Sequence, residues 1–235
     1  MKTLTVLVPI FNEQRTIREL VQQLEKIGDG VISECIFVND GSTDSSVELL
    51  NDSLKTVSFK SRVITQENGG KASAIHAGVG LVSTSHVIIL DSDLELETSD
   101  VAVFWKIVTD GTSDYVFGFR RFLAHSSFTY RYSRGNQALS NLYGIFFNEV
   151  VTDIMCGYKL VPTEVLKELP YQFKKFGLEI EIPMQMWKRR MRPYEVEVRY
   201  HARTRAEGKS ITVRDAIAII FSMAWFRLSN RRTVP

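Results

Sequence analysis

Four short apolar runs punctuate the first hundred residues, and each stops abruptly in polar residues. Leu4 to Ile10, Glu34 to Asn39, Arg62 to Gln66 and Val87 to Leu90 have the length and β-branched content of buried strands. Between them lie segments with helical spacing. Thr16 to Ile27 carries Leu20, Leu24 and Ile27 as an apolar stripe and is stopped by Gly28 and Gly30. A second segment runs through Leu50, and a third covers Ala72 to Leu81. Strand and helix in regular alternation predict an α/β fold, a parallel sheet with right-handed crossovers. In such a sheet the carboxyl ends of the strands share one edge, and ligands bind there.

The fourth run ends in Asp91-Ser92-Asp93-Leu94-Glu95, acids spaced two apart. Carboxylate oxygens suit a hard divalent cation, Mg²⁺ or Mn²⁺, which in turn suits a diphosphate. The competing reading is a solvated turn that caps the next helix. The other three ends are also polar. Asn12 and Glu13 follow the first strand, Asp40 and Asp44 the second, and Gly69, Gly70 and Lys71 the third. Asp40 could accept bonds from a base or a ribose hydroxyl; alternatively Asp40 and Asp44 simply cap the following helix. Lys71 on a glycine loop at a helix start stands where backbone N–H groups and the helix dipole favour phosphate. Neither G-x-G-x-x-G after the first strand nor G-x-x-x-x-G-K-[ST] is present, which argues against a dinucleotide fold and a P-loop. The G-x-S-x-G and Cys/His nucleophile signatures are also missing.

After Asp93 the rhythm changes. Val101 to Val108 reads as a helix, Tyr115 to Phe119 as a strand, and Tyr132 to Phe147 as a helix. Glu179 and Glu181 open an apolar helix to Trp187, Tyr194 to Tyr200 alternates like a half-exposed strand, and Thr212 to Leu228 closes the set. Between Asp114 and Glu149 there is no acidic residue, yet Arg120, Arg121, Arg131 and Arg134 fall there. The net charge of +2 is unevenly placed: from Met186 onward twelve Lys and Arg face four Asp and Glu. A basic end on an acidic body points to an anionic partner, phosphates or a membrane surface; nucleic acid is not expected.

Cys35 and Cys156 have neither metal spacing nor a disulfide pattern, and Met1 to Thr5 leads straight into a strand, so a cytosolic chain without signal peptide is expected. Ala216 to Phe226 is apolar on nearly every side. At 1.5 Å per residue it spans roughly 16 Å, short of a bilayer. Ile217, Ile219, Ile220, Phe221, Trp225 and Phe226 are therefore either core or the apolar face of an interfacial helix. In the second case Trp225, Arg227, Arg231 and Arg232 would stand at the headgroups.

Taken together, Val6-Leu7-Val8-Pro9-Ile10-Phe11-Asn12-Glu13, Val38-Asn39-Asp40-Gly41-Ser42-Thr43-Asp44, Asn68-Gly69-Gly70-Lys71 and Leu90-Asp91-Ser92-Asp93-Leu94-Glu95 resemble glycosyltransferase family 2 with its GT-A fold. Gly118-Phe119-Arg120, Ser133-Arg134-Gly135-Asn136, Asp153 to Lys159, Phe176 to Glu181 and Arg203 to Ser210 are similar to the dolichyl- and polyprenyl-phosphate sugar transferases. The resemblance covers about residues 4 to 215. It implies a mostly parallel sheet flanked by helices, with residues 1–210 as catalytic unit and 211–235 as an appended helix and basic tail. Pro9, Asn12, Glu13, Asp40, Lys71 and Asp91 would hold a UDP- or GDP-sugar. Asp91 and Asp93, with Glu95 as a third ligand, would bind Mg²⁺ or Mn²⁺; the family often has Gln where Glu95 stands. Arg120, Arg134, Arg203 and Lys209 would grip an acceptor phosphate. Arg121 and Arg131 are weaker candidates, because the loop between Phe122 and Tyr132 does not fix the alignment. A phosphate acceptor is already anionic and needs positioning more than a base. A hydroxyl acceptor would need a carboxylate, from Asp153, Glu179 or Glu181.

The implied activity is inverting, metal-dependent transfer of a sugar to a polyprenyl phosphate, by an enzyme peripheral on the cytoplasmic face of a membrane. Many relatives carry transmembrane helices after this point, so a separate membrane protein is a possible partner. The rival readings are a family 2 enzyme with a saccharide hydroxyl acceptor, and a catalytically silent nucleotide-sugar or membrane-binding module.

Overall fold

A computed structural model describes residues 1–28, 30–121, 130–171, 177–201 and 212–230, without the side chains of Tyr130, Arg131 and Val213. The first half follows the expected rhythm: β1 (Leu4–Ile10), α1 (Ile17–Ile27), β2 (Glu34–Asn39), α2 (Ser46–Leu54), β3 (Lys60–Thr65), α3 (Lys71–Val79) and β4 (His86–Ile89). The second half adds α4 (Asp100–Thr109), β5 (Val116–Arg120), α5 (Tyr130–Phe147), β6 (Lys159–Pro162), α6 (Thr163–Lys167), α7 (Gly177–Lys188), β7 (Tyr194–Val198) and α8 (Val213–Ser229).

The seven strands form one sheet in the order β3-β2-β1-β4-β6-β5-β7. β1 pairs in parallel with both β2 and β4, and every residue of β1, β2 and β4 is buried, the mark of strands covered on both faces. β6 runs antiparallel to β4 and β5, with Ile89 opposite Lys159. The alternation of the first hundred residues does not reveal β6. It is four residues long, begins with a buried lysine, and so lacks the apolar pattern that marks the other strands.

Two apolar layers sandwich the sheet. One is made by α1, α2 and α4, with Leu20, Leu24, Leu50 and Phe104. The other is made by α3, α5, α6, α7 and α8, with Ile75, Tyr143, Leu166, Trp187 and Met223. Helix α8 settles on α5 and α7 by splitting its apolar residues. Ile219, Met223 and Phe226 face the core, and Phe226 lies 6.3 Å from the Phe147 ring. Ile217, Phe221, Trp225 and Leu228 remain exposed, Phe221 by 72%. Their spacing of four, four and three puts them on one stripe. The core expectation therefore holds for one face of this helix, and its other face is exposed. Among the described residues no helix is long and apolar enough to cross a membrane.

Candidate active site

The parallel strands bring their polar ends to one edge, and the loops there are laced together. Asn12 adopts a left-handed φ of 57°, its Oδ1 accepts from the Thr43 amide at 2.8 Å, and its own amide donates to Ser42 Oγ at 3.0 Å. The Glu13 amide donates to Ser46 Oγ at 2.7 Å. Asp44 accepts from the amides of Ser46 and Gln14, so it caps α2 and ties the first loop to the second. Ser92 Oγ donates to the Pro9 carbonyl at 2.8 Å, and Thr16 Oγ1 donates to the Ser92 carbonyl at 2.8 Å. The turn after β4 is thereby moored to the loop after β1.

Asp40 does not cap its own helix. Its two oxygens accept from the Gly69 and Gly70 amides, each at 2.8 Å, and from Gln66 Nε2 at 2.7 Å. The carboxylate thus orders the glycine loop that delivers Lys71 to the start of α3. The adjoining turn needs Gly41: its φ is 74°, and a Cβ there would lie 2.9 Å from the Asn68 nitrogen.

Lys71 is the hub of the edge. Its Nζ lies 2.7 Å from Asp91 Oδ1 and 3.1 Å from Glu179 Oε1, which comes from the first turn of α7. Burial works against the ammonium, but the two carboxylates outweigh it and push its pKa above the ordinary lysine value. Gly157 forms the wall behind this pair. A Cβ on it would sit 2.9 Å from Lys71 Nζ and 3.0 Å from Asp91 Oδ2. Glu179 is 5% exposed, and its Oε2 is buried without a hydrogen-bond partner among the described residues.

Asp93 follows Asp91 by two residues in the turn after β4, its Oδ1 accepting from the Glu95 amide at 3.1 Å. Leu94 between them holds a φ of 58°, a strained setting for a leucine, and such strain gathers at functional sites. Glu95 turns its carboxylate to the Tyr200 hydroxyl at 2.6 Å. Among the described residues no group of three His, Cys, Asp or Glu is gathered for a metal. That fits Mg²⁺ or Mn²⁺ arriving with a diphosphate, since such ions take one or two carboxylates plus phosphate oxygens rather than an all-protein cage. Asp91 and Asp93 are the candidates for that role; Asp91 is paired with Lys71 and Glu95 with the Tyr200 hydroxyl.

Arg120 and Asp153, expected as phosphate grip and candidate base, are given to each other. Arg120 Nε donates to Asp153 Oδ2 at 2.7 Å and Nη2 to Oδ1 at 3.0 Å; Asn136 Nδ2 adds a bond to Oδ1 at 2.8 Å. Both members are buried, and the guanidinium lies 5.2 Å from the Tyr200 ring centroid. Burial raises the Asp153 carboxyl, but the Arg120 charge and these hydrogen bonds outweigh it and hold the carboxyl below its usual range. A carboxylate so held is a poor proton acceptor. Glu181 is buried two residues beyond Glu179 on α7, about 200° round the helix from it. Arg134 is exposed on the first turns of α5, and Arg121 is exposed and 3.6 Å from Glu197. Arg203 and Lys209 lie outside the described residues, as does the side chain of Arg131.

Three contributors were assigned no role from the sequence: Gly157, Asn136 and Tyr200. Gly157 and Asn136 fall within the motif runs, but a run does not say which residue walls a cluster or fixes a buried pair. Nothing local marks Tyr200.

A mostly parallel α/β sheet with two carboxylates and a glycine-loop lysine at its edge is the arrangement that the resemblance to a GT-A enzyme implies. The solved structures agree on the fold. Glucosyl-3-phosphoglycerate synthase from Mycobacterium tuberculosis, in complex with Mn²⁺, UDP-glucose and phosphoglyceric acid, superposes with a TM-score of 0.72 at 21% identity, covering 97% of this chain and 79% of that one. Residues 5–170 match the model of glycosyl transferase family 2, and the chain belongs to that family. It is 25% identical over 219 residues to the glycosyltransferase AglJ of Haloferax volcanii, covering 92% of this chain and 69% of that protein. An uncharacterised protein of Methanocaldococcus jannaschii is also 25% identical, over 83% of this chain and 87% of its own length. An undecaprenyl-phosphate 4-deoxy-4-formamido-L-arabinose transferase of Salmonella paratyphi B is 34% identical over 98 residues, 40% of this chain and 30% of that protein.

Proposed function

We propose that this glycosyltransferase moves a sugar from a UDP- or GDP-sugar to a polyprenyl phosphate at a membrane surface. The reading rests on one observation: Lys71, at a helix start, bridges Asp91 and Glu179 beside Asp93 at the sheet edge. The anomeric carbon–diphosphate bond breaks as an acceptor phosphate oxygen bonds to that carbon. The departing diphosphate carries its charge toward Lys71 and the N-terminal end of α3, which stabilise it as it develops. A divalent cation held by Asp91 and Asp93 would supply further neutralisation of the same charge. The acceptor is already anionic, so no base is required. Arg134, with Arg203 and Lys209, is assigned to its phosphate, and Arg120 to supporting the loop that carries Asp153.

The relative named for undecaprenyl phosphate and the exposed stripe of α8 support the lipid acceptor. Lys188 and the exposed Trp225 line a cavity of about 540 Å³ beside the Arg189–Glu168 ion pair, a cation and an aromatic together as at a headgroup layer. A saccharide hydroxyl acceptor is the second reading. The partnerless Glu179 Oε2 favours it, because that oxygen could take a proton.

The test is a panel of radiolabelled UDP- and GDP-sugars offered with Mn²⁺ and undecaprenyl or dolichyl phosphate. Label should enter the chloroform-soluble lipid. Label moving only onto water-soluble saccharides would select the second reading. With lipid in anionic vesicles, the double variant Phe221→Ser/Trp225→Ser should lose transfer, yet keep it toward detergent-dispersed lipid. Unchanged transfer in vesicles would remove the membrane role of α8.

A further inference from the structure

Lys159 opens β6 and is 1% exposed, yet no carboxylate lies within ion-pair distance of it among the described residues. Its Nζ donates instead to two backbone carbonyls, Ile154 at 3.1 Å and Cys156. The remaining contact is the Phe117 ring, 5.1 Å from Nζ to its centroid. A buried ammonium without a counter-ion is costly, and burial accordingly pushes the lysine below its ordinary value. A methionine or leucine of similar size would fill the same space without that cost. What the lysine adds is the two carbonyl bonds, and both fall on one loop, residues 153–157.

That loop touches the site at two points. At one end Asp153 clamps Arg120 and Asn136. At the other, Gly157 stands against the Lys71–Asp91 pair, where a Cβ would displace the tips of both side chains. Lys159 is anchored from beneath by the register of β6 against β4, which sets it opposite Ile89, two residues before Asp91. It thereby references the wall loop to the same strand that carries the Asp91 turn. The titratable groups that act on it are Cys156 and Asp153 in the loop, Glu179 on α7 and Lys71 on α3.

We propose that Lys159 is a positioning residue for glycosyl transfer, holding the 153–157 loop so that Gly157 sets the geometry of Lys71 and Asp91. The two ends of the loop then move together when the lysine is lost. Cys156 provides a local reporter, because its thiol is 1% exposed and burial pushes its pKa to about 11. Cys35, buried in β2 and separated from β6 by β1 and β4, reports global opening in the same molecule.

The experiment compares wild type, Lys159→Met and Lys159→Arg by timed iodoacetamide labelling at pH 8, with each cysteine read separately by mass spectrometry. Lys159→Met should label Cys156 at least tenfold faster, with Cys35 unchanged, and Lys159→Arg should restore much of the protection. In turnover with the donor that wild type uses best, Lys159→Met should lower kcat at least tenfold with KM for the donor within threefold. That second arm rests on the proposed transfer reaction; the labelling arm does not. Absence of wild-type turnover with every donor would therefore count against the reaction, while the labelling still decides the role of Lys159. Equal acceleration at Cys35 and Cys156, or labelling and kcat both unchanged, would overturn the proposal.

Discussion

Asp153→Ala should destabilise the protein by about 3–5 kcal/mol, the cost typical of removing one partner from a buried ion pair. Arg120 would lose the carboxylate it pairs with while staying buried against the Tyr200 ring, and Asn136 would lose the oxygen it donates to. Urea unfolding measures the loss directly, as a lower midpoint at unchanged slope. The double variant Arg120→Met/Asp153→Leu should recover part of it, since an apolar pair of similar volume leaves no uncompensated charge. The same pair sets an acid limb. The folded Asp153 carboxyl lies below its ordinary value of 3.8. Its contribution is therefore complete above that value and is lost as the pH falls through the lower folded value. Stability of the wild type should drop more steeply below about pH 4 than that of the apolar double variant. Parallel acid limbs in the two proteins would show that Asp153 is not held low by Arg120.

Asp93→Asn should cost turnover at least about a hundredfold, equivalent to roughly 3 kcal/mol of barrier. Stability should stay within about 0.5 kcal/mol, as for a half-exposed side chain outside the core. The amide oxygen of Asn can still accept from the Glu95 amide, so the turn that contains Leu94 keeps its bond. What is lost is one full negative charge at the edge where a cation and a diphosphate would meet. The comparison separates the chemistry from the fold because it removes charge without removing volume. Near-normal turnover of this variant, or of wild type in excess EDTA, would take the metal out of the mechanism.

Much of this was legible in the chain itself, for a physical reason. β1, β2 and β4 are buried on both faces, so their sequences are nearly pure apolar runs, and their polar ends must share an edge. Lys71 follows from the same logic, as a cation at the start of a helix on a glycine loop. What was not legible is pairing between loops distant in sequence. Asp40 reads as a nucleoside contact or a cap, and no local pattern says that its oxygens organise the Gly69-Gly70 amides about thirty residues away. Arg120 and Asp153 were read separately, one as grip and one as base, because nothing local says that a buried arginine will claim a particular carboxylate. β6 escaped because its first residue is a lysine whose charge is met by carbonyls rather than by water. The final helix was ambiguous for the opposite reason: being apolar all round, it gave no sign of which face the core would take.

The most direct test of the account is anomalous diffraction at the manganese edge from crystals grown with Mn²⁺ and UDP or GDP. The account predicts one manganese peak within bonding distance of the Asp91 and Asp93 carboxylates and of both phosphates, with Lys71 turned to the diphosphate and the nucleoside beside Asp40. A nucleotide bound away from this strand edge, or bound here with no manganese near Asp93, would contradict it.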